Sequence, residues 1–85
     1  MRQSDVDNIN KRLAILAAQH GFAAIARVAP FEKSEVVFEA FTWHGAEVLT
    51  HTATYSDSKF ARKGGVATMI VFVEAARSQF GSAGR

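Results

Sequence analysis

EVVFEAFTWHGAEVLTHTATY, residues 35–55, is dense in β-branched and aromatic residues and is broken at His44 and Gly45. Such residues suit a pleated, half-buried surface, and a His-Gly pair between two such runs supplies a tight reversal. The pattern predicts two antiparallel strands over about 35–43 and 46–55, with Val48, Thr50, Thr52 and Thr54 alternating against Leu49, His51, Ala53 and Tyr55. Just upstream, residues 22–29 are alanine-rich but carry Ile25 and Val28, and Pro30 removes an amide donor after them. A third strand over about 22–29 follows, with Pro-Phe-Glu-Lys-Ser at 30–34 as the turn.

Nearer the N-terminus, Ser4 can cap a helix, Asp7 stands at the third helical position as in a capping box, and Asp5 and Asp7 suit the positive end of the helix dipole. Val6, Ile9, Leu13, Leu16 and His20 follow at spacings of three and four, while Asn8, Lys11, Arg12 and Gln19 fall elsewhere. With Gly21 free to take a left-handed turn, this predicts an amphipathic helix over about 4–20. Beyond Tyr55, the residues Ser56, Asp57 and Ser58 offer cap oxygens, and Phe60, Val66, Ala67, Ile70, Val71 and Glu74 can be threaded on a second helix over about 57–80. Gly64 and Gly65 inside it cost about 2 kcal/mol against two alanines, and Val66, Thr68, Ile70, Val71 and Val73 also suit a buried strand. The length is wrong for one strand, which favours the helix, with the glycines allowing close approach to the sheet. Residues 81–85 read as a frayed tail.

The order defines an α+β fold, α-β-β-β-α: a three-stranded antiparallel sheet with two helices packed on one face. Pleat alternation puts Val36, Phe38, Ala40 and Thr42 on one side of the middle strand and Val37, Glu39, Phe41 and Trp43 on the other; if the first set faces the helices, Phe41 and Trp43 stand on the open face. The chain has 85 residues, 48% hydrophobic and 21% charged, which fits a single domain over 1–85 and excludes intrinsic disorder. It has no cysteine and no Cys/His spacing for structural zinc, so extra stability is expected from a partner or a second copy. No apolar run reaches the roughly 18 residues of a membrane span, and the polar N-terminus lacks the core of a signal peptide. A cytoplasmic protein without a membrane partner is expected.

At this point the chain resembles the double-stranded RNA-binding domain. The likeness covers about residues 7–76. KRLAILAAQHG at 11–21 is similar to that family's first helix and terminating glycine, Pro30 follows the first strand, residues 38–45 are similar to the second strand and turn, and SKFARK at 58–63 resembles the basic start of the last helix. The resemblance implies the α-β-β-β-α fold and phosphate contacts from Lys59, Arg62 and Lys63, with Lys33 in the loop between the first two strands. The chain departs from the family in three places: residues 30–34 replace its Gly-Pro-x-His loop, residues 58–62 keep only part of its Lys-Lys-x-Ala-Lys signature, and 50–54 replace glycines near the end of its third strand.

Lysine and arginine number 10 against 8 acidic residues, a net charge of +2, so placement matters more than excess. Lys59, Arg62 and Lys63 stand beside one acid, Asp57, at a predicted helix start, which suits a phosphate; the plain alternative is a solvated helix face. The middle of the chain is acidic through Glu32, Glu35, Glu39 and Glu47. Lys63-Gly64-Gly65 is not a P-loop, and His20, His44 and His51 lack ligand spacing. Ser56, Asp57 and His51 have no nucleophile elbow around them. No enzyme, cofactor, metal or small-molecule substrate is expected. Phe41 and Trp43, with Tyr55 and Val37, fit a protein interface, such as that of a homodimer, better than a base-stacking platform. The expectation is a non-catalytic module that occupies nucleic acid or a nucleoprotein complex. Its alternatives are an inhibitor of phage type, similar in size to anti-CRISPR proteins and acting through protein contacts, or a homodimeric structural domain.

Overall fold

The computed structural model describes residues 2–60 and 65–83. Its elements are α1 (Gln3–Gln19), β1 (Ala23–Val28), β2 (Glu35–His44), β3 (Glu47–Ser56), a 3₁₀ turn (Asp57–Phe60) and α2 (Val66–Ala83). The strands form one antiparallel sheet in the order β1-β2-β3, so the chain has the expected α+β architecture.

Helix α1 starts earlier than its sequence pattern implies. The cap is extended Arg2, whose carbonyl accepts from the N–H groups of Asp5 and Val6, and no side chain caps the helix. Ser4 therefore lies inside the first turn, where Gln3 Nε2 donates to Asp7 Oδ1 at 2.9 Å. The other end follows the reading. Gly21 takes φ +81°, its N–H donates to the Ala18 carbonyl, and the Phe22 N–H donates back to Ala17. This pair of bonds satisfies carbonyls that the last turn leaves orphaned.

A two-residue turn at Gly45 and Ala46 sets the sheet register by placing His44 opposite Glu47. Val36, Phe38 and Ala40 then face the helices and are fully buried. On β1 the matching positions are Ala24 and Ala26, small enough to let α1 lie close above that strand, while α2 covers β2 and β3. Phe38 is the centre of the core: its ring meets Tyr55 and Phe72 edge-on at 5.3 and 5.2 Å and tilts against Phe60 at 5.5 Å. Leu13, Ala17, Met69 and Ala76 fill the space around it.

The second helix differs from expectation in three ways. The span 57–80 is not one helix, since the 3₁₀ turn ends at Phe60 and α2 begins at Val66. Gly65, at φ +72°, stands just before α2, and a Cβ there would collide with the Phe60 ring. Its lack of a side chain thus serves two needs, the left-handed backbone and the seat of a buried phenylalanine. Gly64 lies outside the described residues. The helix also runs on to Ala83, through part of the expected tail, because Phe80 is buried and packs edge-on against Phe22 at 5.3 Å. Finally, the core takes Met69, Phe72, Val73, Ala76 and Phe80 from α2 and leaves Ile70 and Val71 exposed. An almost uniformly apolar helix does not announce its buried side.

The two edges of the sheet meet the helices differently. Asn10 of α1 donates from Nδ2 to the Ala26 carbonyl at 2.9 Å and accepts the Ala26 N–H on Oδ1 at 2.7 Å, occupying the outer edge of β1 as a neighbouring strand would. At β3, Gln79 of α2 donates from Nε2 to the Thr50 carbonyl at 3.4 Å and pairs through Oε1 with His51 Nδ1.

Candidate functional site

The residues singled out in the sequence fall at two places. At one end of the sheet, the loop of residues 29–34 meets the 3₁₀ turn: the Asp57 N–H donates to the Ser34 carbonyl at 2.7 Å, next to the Glu35–Ser56 pair. This contact brings Lys33 and Lys59, both exposed, onto segments that share one end of the molecule. Arg62 and Lys63 lie outside the described residues. The loop is not purely basic. Glu32 accepts from the Ser34 hydroxyl at 2.7 Å and from its N–H at 3.2 Å, and these bonds hold its carboxyl below the ordinary value. Lys33 and Asp57 each have a partner. Phe31 projects from the same loop, wholly exposed.

The second place is the face of the sheet that the helices leave open. Trp43, 72% exposed, stands opposite Val48, and half-buried Phe41 lies between Ala23 and Thr50. Val37, also half-buried, lies between Arg27 and Thr54, while Ile25 and Glu39 occupy the row between. Apolar side chains collect toward the hairpin end, and Arg27 and Glu39 bring charge to the rest.

Tyr55 does not belong to this group. It pairs with Val36 and points under the helices, 5.3 Å from the Phe38 ring centre, 6.4 Å from Phe60 and 6.5 Å from Phe72. Partial burial pushes its hydroxyl above the ordinary tyrosine value. The reason is arithmetic: a two-residue turn pairs even positions of one strand with odd positions of the next, so Tyr55 must share the side of Val36. That signal was available in the turn itself.

The structure also assembles residues that no local motif links. At the hairpin end an open cleft of about 290 Å³ is lined by His20, Phe22, His44, Leu49, Arg77 and Phe80 among others. His20 stacks on Phe22 with ring centres 6.3 Å apart, and His51 lies 5.4 Å from Phe72 while bonded to Gln79. Among the described residues no group of three histidine, cysteine or acidic side chains could hold a metal ion. None of the helices among those residues is long and apolar enough to cross a membrane.

No family model matches the chain, and neither a curated protein nor a solved structure matches it. The molecule is defined by its α+β fold of α-β-β-β-α order and by the two surfaces just described.

Proposed function

We propose that this chain is a non-catalytic binding module whose basic end contacts the phosphates of nucleic acid or of a nucleoprotein complex. One observation carries the reading: the Ser34–Asp57 hydrogen bond joins the loop bearing Lys33 to the turn bearing Lys59. In the double-stranded RNA-binding domain, which the chain resembles, the start of the last helix aims lysines at phosphates across the major groove and the loop between the first two strands touches a minor groove. Arg62 and Lys63 follow Lys59 closely in sequence. Phosphate contacts release counterions, so such binding weakens steeply with salt. Titration with duplex RNA and duplex DNA at two salt concentrations tests this. Replacing Lys33, Lys59, Arg62 and Lys63 together by alanine is expected to lower affinity by at least about tenfold and to flatten the salt dependence. Absence of binding at low salt, or unchanged affinity in the variant, refutes the reading.

The exposed Trp43, with Phe41 and Val37 on the same open face, favours a second reading, in which the protein inhibits a nucleoprotein machine through protein contacts as small phage inhibitors do. Nuclease-insensitive capture of one bacterial complex, lost in the Phe41→Ala/Trp43→Ala variant and kept in the charge variant, would select it over the first.

A further inference from the structure

The outer edge of β3 is built to take a strand. Because the Thr50 carbonyl reaches outward to Gln79, the backbone groups of Thr50 point away from β2. By the alternation of an antiparallel ladder those of Val48, Thr52 and Thr54 point the same way. All four residues are exposed. The long Gln79 contact is the one side-chain bond to this edge among the described residues, whereas Asn10 satisfies both backbone groups of Ala26 on the opposite edge. Residues 48–55, VLTHTATY, include no acidic residue, lysine, arginine or proline. Charges and prolines ordinarily discourage edge pairing, and the one charged residue of this ten-residue strand is Glu47 at its first position.

Helix α2 continues the same surface. Ala75 and Val71 lie about one and two turns before Gln79, and residues four apart share a helix side, so both flank the β3 edge. Val71 is 62% exposed and Ala75 is exposed. A surface made of backbone donors and acceptors, threonines and small apolar groups is complementary to itself.

We infer that β3 pairs antiparallel with β3 of a second copy of this chain, joining two sheets into one of six strands with the two α2 helices meeting through Val71 and Ala75. A two-fold axis through His51 or through Thr52 brings the outward-facing residues opposite one another, threonine against threonine, which is a favourable cross-strand pair. No acidic residue, lysine or arginine lies along the strand from Val48 to Tyr55, and on α2 the exposed Glu74, three residues after Val71, is a charge that flanks the helix contact. The size of the seam is sufficient: a ten-residue strand is about 34 Å long, and strand and helix together are on the order of 20 Å deep, so each copy buries on the order of 700 Å². That lies within the range for specific interfaces, roughly 600–1,000 Å² per partner.

The test is sedimentation equilibrium of the full chain over a concentration series, with amide exchange measured on the same samples. A dimer is expected whose dissociation constant rises at least about tenfold in Val71→Lys and in Thr52→Pro, with Trp43→Ala unchanged. The Thr52 N–H points outward, so proline there removes no bond to β2; if that variant fails to fold, Val71→Lys decides. The amides of Val48, Thr50, Thr52 and Thr54 should gain protection as the dimer fills. A monomer at every concentration, a dimer that survives Val71→Lys, one that Trp43→Ala dissolves, or one whose four outward amides exchange freely overturns the inference.

Discussion

The two sides of β2 are made of similar residues and meet opposite fates. Val36, Phe38 and Ala40 are sealed beneath α1 and α2, while Val37 and Phe41 are half-buried and Trp43 is the most exposed of its row. Hydrophobicity does not separate the two sets, since the open side carries the larger aromatic. What separates them is the cover: the pleat offers two apolar sides, and both helices settle on one. A side chain on the covered side contributes to stability through packing, and one on the open side remains available for contact with another molecule.

Substitutions test that division, beginning with the largest expected effect. Phe38→Ala should cost about 3–5 kcal/mol in urea unfolding, because the ring lies among Tyr55, Phe60 and Phe72 and its loss leaves a cavity. Trp43→Ala, five residues along the same strand on the other side, should change stability by less than about 0.5 kcal/mol, as surface substitutions usually do. Equal losses would erase the distinction between the sides.

Next in size is a pair of glycines. Gly65→Ala adds a Cβ against the Phe60 ring as well as a left-handed strain, whereas Gly21→Ala meets no atom within 4 Å. The first should cost about 2–3 kcal/mol and the second about 1 kcal/mol in the same unfolding measurement. A cost at Gly65 no greater than at Gly21 would show that Phe60 does not need the space.

Smallest is a titration. The buried side raises the Tyr55 hydroxyl above its ordinary value, so the neutral form is favoured by folding. Its contribution is fully present below the unfolded value of about 10 and is lost as pH rises through the higher folded value. Thermal unfolding should therefore show a destabilisation above about pH 10 that is reduced in Tyr55→Phe. An unchanged alkaline limb in that variant would place the tyrosine in water.

Much of the fold was legible because it depends on local pattern. The alternation in β2 and β3, the tight turn at Gly45 and the left-handed Gly21 each express a short-range rule, and the meander follows from them. The break before α2 was hidden because Gly65 answers to a ring five residues upstream, which helix propensity treats simply as a cost. The buried side of α2 was hidden because Ile70 and Val71 are as apolar as Met69 and Phe72. Of the candidate site residues, Phe41, Trp43 and Val37 share the open face, and Lys33 and Lys59 share one end of the sheet. Tyr55 was misplaced by its aromatic character when the turn length alone assigns its side. Asn10 gave no signal, because a lone asparagine on a helix is ordinary until the strand beside it is known.

That asparagine also bears on stoichiometry. A strand with two open edges can add neighbours without limit and grow into a fibre, but one whose outer groups are already satisfied accepts no addition there. Asn10 already holds both outward groups of Ala26 in β1, so a strand added there would have to displace it, whereas a two-fold pairing at β3 uses up that edge in both molecules. The β3 pairing inferred above would therefore close on itself at two copies. Two hydrogen bonds from one amide thus make β1 the less open of the two edges.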